Sequence, residues 1–170
     1  MEIKNTFYLS LGSNLGDRLS NLQFAINSLS AIDCEIISVS SIYESEPIGF
    51  SAEQKFYNAA IKGNTFNSVE KFMSSLMDIE KKAGRVRQEI NEYSSRPLDI
   101  DIIFFNNLII NTDFIQIPHP RYRERKFVLL PIIEIQQDLS DPSDLKHLSE
   151  ILVLCGDNSE IKKLEALLVY

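Results

Sequence analysis

The sequence predicts an α+β fold in which helices flank a mostly antiparallel sheet. Three observations carry that expectation. Apolar residues recur at helical spacing over 19–29 and 69–83, alternating β-branched runs lie between them, and residues 98–105 form an apolar run of strand length.

Phe7-Tyr8-Leu9-Ser10-Leu11 reads as a first strand, ended by the turn Gly12-Ser13-Asn14. Leu19, Leu22, Ile26 and Leu29 then share one helical face, after Asp17 as the cap. Ile36 to Tyr43 is β-branched and alternating, a second strand that Glu46-Pro47-Ile48-Gly49 breaks into a loop. Phe56 to Ile61 reads as a third strand. Asn67 with Glu70 suggests a capping box, opening a helix of Val69, Phe72, Met73, Leu76, Ile79 and Ala83 that Gly84 closes. Residues 85–96 are polar and aperiodic, a long loop. Leu98 to Phe105 is the strongest strand, with Asn106-Asn107 turning it and Leu108-Ile109-Ile110 expected to pair back as a hairpin. The order strand, helix, strand, strand, helix, strand is that of a ferredoxin-like core. Phe127 to Ile135 and Leu145 to Leu154 add packing, the latter as a helix, and residues 159–165 suggest a short terminal helix.

A chain of 170 residues without repeats or a Pro/Gly-rich linker is expected to form one domain over residues 1–170. No apolar run approaches bilayer length, and Met1-Glu2-Ile3-Lys4-Asn5 has no secretory character. Cys34 and Cys155 have no neighbours at metal-ligand spacing, so two reduced thiols in a cytoplasmic protein are expected. A net charge of -7 argues against a broad nucleic-acid surface. Yet the arginines gather: Arg85, Arg87 and Arg96 form one group, and Arg121, Arg123, Arg125 and Lys126 another. Two such clusters in an acidic chain suit a compact anion.

Between them lies Leu98-Asp99-Ile100-Asp101-Ile102. Strand alternation puts Asp99 and Asp101 on one face, with α-carbons roughly 6–7 Å apart, and Ile100 and Ile102 on the other, in a core. Paired carboxylates there repel and lose hydration. Oxygen-only ligands suit Mg²⁺, which keeps waters and takes substrate phosphates. A bare Asp-x-Asp is more often a wet surface. The flanking arginines favour metal-assisted phosphoryl transfer instead.

These residues also carry a family resemblance. Arg96-Pro97-Leu98-Asp99-Ile100-Asp101-Ile102-Ile103 resembles the signature of the 6-hydroxymethyl-7,8-dihydropterin pyrophosphokinases of folate biosynthesis. Leu11-Gly12-Ser13-Asn14-Leu15-Gly16, Tyr43-Glu44-Ser45-Glu46-Pro47-Ile48-Gly49, Tyr57-Asn58-Ala59-Ala60, Gly84-Arg85-Val86-Arg87 and Ile117-Pro118-His119-Pro120-Arg121 follow in the family's order and spacing. The resemblance covers about residues 7 to 135. It implies transfer of pyrophosphate from ATP to the pterin hydroxymethyl group, releasing AMP, with two Mg²⁺ ions on Asp99 and Asp101. It makes Arg85 and Arg96 catalytic grips on the triphosphate, and puts Glu80, Arg87, Ile102, His119 and Arg125 at the ATP. On sequence alone, Glu80 reads better as a helix-surface glutamate, and His119 equally well as a structural histidine. The pterin would meet Ser45, Ile48, Phe56, Asn58 and Phe127, the two aromatics stacking on its ring.

Tyr93, Ser94-Ser95, Met77 and Phe56 depart from the commoner family residues, and none touches the metal pair. The proton acceptor stays open between Asp101 and a metal-bound water. Loops 44–54 and 85–96 are expected lids. The partners implied are small molecules only, with a monomeric protein, no nucleic acid and no membrane. Two rivals remain: a non-catalytic nucleotide- or pterin-binding module, and a kinase moving only the γ-phosphate.

Overall fold

The computed structural model describes residues 4–85 and 94–170. In chain order the elements are β1 (Asn5–Ser13), α1 (Arg18–Ser30), β2 (Cys34–Val39), β3 (Tyr43–Ser45), β4 (Phe56–Thr65), α2 (Val69–Lys82), β5 (Asp99–Phe105), β6 (Ile110–Asn111), β7 (Gln116–Ile117), α3 (Lys126–Ile135), α4 (Leu148–Leu154) and β8 (Ile161–Lys163), with a 3₁₀ turn at Tyr122–Glu124. The main sheet is antiparallel throughout. β5, β1 and β4 lie side by side; β4 then pairs with β2 along its Ile61–Thr65 half and with β3 at Phe56–Asn58. The order β5-β1-β4-β2 is the one expected of a ferredoxin-like core.

Each face of the sheet buries its own apolar layer. On one, Phe7, Leu9, Leu11, Ile100 and Ile102 meet Leu22, Ile26 and Leu29 of α1 and Phe72, Leu76 and Ile79 of α2. On the other, Tyr8, Ala60, Ile103 and Phe104 meet Val128, Leu129 and Ile132 of α3 and Leu148 and Ile151 of α4. The helix ends obey local chemistry. Asp17 caps α1, accepting from the Ser20 amide at 3.0 Å. α2 ends in a Schellman motif: Gly84 takes φ +91°, its amide bonds Lys81 O, and the Arg85 amide bonds Glu80 O, both at 3.0 Å.

The register between β1 and β5 slips by one residue. Leu9 faces Ile102 and Tyr8 faces Phe104, so Ile103 is the extra residue of a bulge. Ile103 and Phe104 therefore both pack toward α3, while Phe105 returns to the α1–α2 side.

Four sequence expectations are corrected. The run Ile36 to Tyr43 is two strands, because Ser40 ends the first: its hydroxyl accepts the Ala60 amide at 2.8 Å in place of a backbone carbonyl. Ser68, not Asn67, caps α2 by accepting from the Lys71 amide at 3.3 Å, while the buried Asn67 donates to Ile32 O at 3.2 Å. Leu108 to Ile110 does not return along β5. Ile110 pairs instead with Ile117, across a tight turn in which Thr112 Oγ1 accepts the Ile115 amide at 3.0 Å. The tail forms a strand, not a helix: Ile161–Lys163 pairs with β3, whose free edge supplies the backbone partners that a helix of one turn cannot.

Candidate active site

The α3 face of the sheet is only part covered. A ten-residue helix is about 15 Å long, and α3 lies over Tyr8, Ala60 and Phe104. The rows nearer the other end stay open: Ser10 opposite Asp101, then Asn58, Gly12 and Asp99 in line, then Ser45 opposite Phe56. They floor a cavity of about 240 Å³. Gly12 keeps the floor low, since a Cβ there would sit 3.6 Å from the Phe56 ring, 3.7 Å from Asn58 Oδ1 and 3.8 Å from Asp99 Cβ.

One end of the cavity is ionic. Asp99 receives Arg85, which also binds Glu80, and Arg96 Nη1 at 3.0 Å. Burial works against the charge of Arg85, but Asp99 and Glu80 outweigh it and leave its pKa raised. The Schellman turn makes this possible by folding Arg85 back over the end of α2. Arg96 is held through its backbone: its amide donates to Asn14 Oδ1 at 2.8 Å, and its carbonyl accepts the Asn14 amide at 3.1 Å. Arg96 Nε is buried with no hydrogen-bond partner among the described residues.

Asp101 is half-buried, 3.8 Å from both Arg125 Nη1 and His119 Nε2. Loss of hydration, then the charge of Asp99, pushes its carboxyl up to about 7. His119 is placed by the bulge, its amide donating to Ile103 O at 3.1 Å. Its Nδ1 accepts the Arg121 amide at 3.1 Å, which leaves the ring proton on Nε2. Burial, then Arg125, lowers its pKa to about 4, so the ring is neutral at pH 7.

The other end is apolar with one polar edge. Phe56 and Phe127 line it, joined by Phe50, edge-on to Phe56 at 6.3 Å between ring centres, and by Ile48. Asn58 is buried and donates to Tyr43 O at 3.1 Å and Ser45 Oγ at 2.9 Å. Both its amide hydrogens are thereby used, and Oδ1 is left to accept.

The structure thus gathers Ser45, Ile48, Phe56, Asn58, Arg85, Arg96, Asp99, Asp101, His119, Arg125 and Phe127 around one cavity. Two expected residues are not in its lining. Ile102 points its side chain into the α1–α2 core, as strand alternation from Asp101 requires. Glu80 is not a surface glutamate: it is buried, binds Arg85, and accepts the Ile100 amide at 2.8 Å. Arg87 and Tyr93 lie outside the described residues, as does most of the expected 85–96 lid. Met77 is exposed on α2 and does not line the cavity.

Sequence reasoning missed Phe50, Glu46, Arg121 and Glu124 in the lining, and Asn14 behind it. Arg121 had a signal, its place in the second arginine cluster. Phe50 had none beyond following Gly49.

The cavity carries carboxylates (Glu46, Asp99, Asp101, Glu124) as well as guanidiniums (Arg85, Arg96, Arg121, Arg125). It is suited to a polyanion only if something neutralises the aspartates. Among the described residues no third His, Cys, Asp or Glu joins the pair to make a closed metal cage. An open carboxylate pair fits Mg²⁺, which takes its remaining ligands from water and phosphate.

Comparison with known proteins gives the same direction. The family model of 7,8-dihydro-6-hydroxymethylpterin-pyrophosphokinase (HPPK) matches residues 8–137. A 2-amino-4-hydroxy-6-hydroxymethyldihydropteridine pyrophosphokinase of Haemophilus influenzae is 34% identical over 158 residues, spanning 92% of this chain and 97% of that protein. Folic acid synthesis protein fol1 of Pneumocystis carinii is 41% identical over 135 residues; these span 79% of this chain but only 18% of that longer protein. The chain is likewise similar in fold to a crystal structure of a Plasmodium falciparum HPPK-DHPS triple mutant, with a TM-score of 0.71 at 16% identity, over 90% of this chain and 44% of that one. No helix among the described residues is long and apolar enough to cross a membrane. By the span of the family match and the identity to full-length relatives, the chain belongs to the 7,8-dihydro-6-hydroxymethylpterin-pyrophosphokinase family.

Proposed function

We propose that this cavity transfers the terminal pyrophosphate of ATP to the hydroxymethyl group of 6-hydroxymethyl-7,8-dihydropterin, giving the pterin diphosphate and AMP in folate biosynthesis. One observation carries the reading: a carboxylate pair ringed by arginines opens directly onto an aromatic pocket with a buried amide edge.

Asp99 and Asp101 would hold two Mg²⁺ ions, which when bound neutralise the triphosphate and draw electrons from the phosphorus under attack. The chain's own groups do the rest. Arg85 exchanges Glu80 and Asp99 for phosphate oxygens, bringing two donors in a fixed fork. Arg96 adds its buried Nε donor. His119, neutral at pH 7, offers an Nε2 proton to the nucleotide without adding charge. Phe56 and Phe127 stack on the pterin ring while Asn58 Oδ1 accepts from its amide edge and Ser45 and Ile48 complete that wall. The hydroxymethyl oxygen is thereby aimed at the triphosphate, so orientation supplies part of the rate.

We read residues 1–170 as one catalytic domain, working as a monomer in the cytoplasm on small molecules. Two unpaired cysteines, Cys34 and Cys155, support a reducing compartment.

Incubation with ATP, Mg²⁺ and the hydroxymethyl dihydropterin tests the reaction. AMP and a pterin diphosphate are expected. ADP would instead mark transfer of the γ-phosphate alone, and binding without product would mark a non-catalytic module.

A further inference from the structure

We propose that Glu134 is a positioning residue for the pterin half of the site, acting by tying strand β3 to helix α3. The inference rests on the pterin reading above.

Glu134 lies seven residues after Phe127, two turns along α3, so both side chains leave the helix on the same side. Its carboxylate gathers donors from three segments. It accepts from Ser41 N at 3.2 Å and Ser41 Oγ at 2.7 Å, in the link before β3. It accepts from Tyr43 Oη in β3 at 2.8 Å and from Lys163 Nζ in β8 at 2.9 Å. β8 in turn pairs with β3 residue for residue, Tyr43 opposite Lys163 and Ser45 opposite Ile161, and the Leu164 amide bonds Ile42 O at 2.8 Å.

β3 is three residues long; β4 and β8 pair with it on either side, and Glu134 is what ties it to α3. The strand carries Ser45, and the Tyr43 carbonyl holds Asn58. Tyr43 is thus fixed by Glu134 at its hydroxyl and orients the pterin-edge amide with its carbonyl.

The opposite anchor is independent. Asp141 binds Tyr122 and Arg123, and Asp157 Oδ2 accepts the Lys126 amide at 2.9 Å, holding the start of α3 where Arg125 and Phe127 lie. Loss of Glu134 therefore loosens β3 against α3, with its pairing to β4 and β8 intact, and leaves α3 in place. Ser45, and with it the orientation of the Asn58 amide, shifts relative to Phe127, while the aspartates and Arg85, on β5 and the end of α2, keep their positions. A plain fold staple would lower stability and leave substrate discrimination alone; a positioning brace shifts pterin affinity and not ATP affinity.

The test uses full-length Glu134→Ala, Glu134→Gln, Tyr43→Phe and Lys163→Met. Fluorescence titration with 6-hydroxymethylpterin gives affinity, steady-state rates give KM for both substrates, and thermal melts register folding. Losing a charged hydrogen bond at this brace should weaken pterin binding roughly tenfold in Glu134→Ala and a few-fold in Tyr43→Phe. KM for ATP and kcat should stay near wild type, and Glu134→Gln, which keeps one of the two acceptor oxygens, should recover part of the loss. Pterin affinity unchanged in folded variants overturns the brace, as does a parallel rise in the KM for ATP. If Glu134→Ala does not fold, Tyr43→Phe, which removes one hydroxyl, gives the same decision. Wild-type protein that binds no pterin and makes no AMP defeats the functional reading itself, and the brace with it.

Discussion

Replacing Asp101 with asparagine should stabilise the protein in metal-free buffer at pH 8 and at the same time remove its activity. The folded state raises the Asp101 carboxyl from the ordinary 3.8 to about 7. Between those values the folded protein holds a proton that the unfolded chain has released. The unfolded state therefore binds fewer protons, and stability falls as pH climbs from about 4 to 7 and stays lost above it. Fully expressed, a gap of that size is worth about 4 kcal/mol. The side chain is 34% exposed, and solvent screening reduces the figure to about 1–2 kcal/mol. Asparagine keeps the shape without the charge. In EDTA at pH 8, urea or thermal unfolding should show Asp101→Asn more stable by that amount, roughly 3–6 °C in Tm. At pH 4 the two proteins should coincide. With Mg²⁺ and a non-hydrolysable ATP analogue the order should reverse, because only the wild type gains the ions. Turnover should drop on the order of a thousandfold, as expected when several kcal/mol of metal-borne stabilisation is lost. A variant less stable than wild type at pH 8 in EDTA, or equally stabilised at pH 4, would refute the argument.

Three other expectations follow from particular contacts. Gly63→Ala puts a Cβ 2.4 Å from Phe7 Cζ and 2.7 Å from Glu35 O, where backbone must move; urea unfolding should show a loss of about 2–4 kcal/mol. Asn14→Ala removes the buried side chain that accepts the Arg96 amide; kcat/KM for ATP should fall roughly 10–100-fold while KM for pterin changes little, and the fold should lose about 1–3 kcal/mol. Asp141→Ala leaves the Tyr122 hydroxyl and Arg123 without their shared acceptor in a buried place; chemical denaturation should register a cost of about 2–4 kcal/mol, and a neutral result would mean that the Asp144 contact to Arg123 suffices.

The parts of the fold legible in the sequence are those with a period or a strong local rule. Alternation separated Asp99 and Asp101 from Ile100 and Ile102, and the separation is seen in the structure. Gly84 marked the end of α2 because positive φ is cheap only for glycine. What was not legible depends on partners distant in the chain. Glu80 sits on a helix whose polar residues elsewhere face water, and its burial goes with its bonds to Arg85 and to the Ile100 amide, distant in the chain or beyond the helix end. Residues 161–163 have no strand signal apart from the edge of β3 that they cover. Asn14 looks like a turn residue until its side chain is seen holding the backbone of Arg96.

The bulge at Ile103 lets one seven-residue strand answer to two environments. Had β5 kept strict alternation, Phe104 would have shared a side with Ile100 and Ile102, and Phe105 would have fallen in line with the acids. The inserted residue resets the phase, so the start of β5 can be polar on the same side where its end is fully apolar. It also frees the carbonyl that His119 uses. The chemical half and the packing half of this strand are in that sense decoupled: substitutions at Asp99 or Asp101 can alter reactivity without disturbing Phe104 or Phe105, whereas deleting the extra residue at 103 would leave both phenylalanines on their present faces and remove the carbonyl that positions His119.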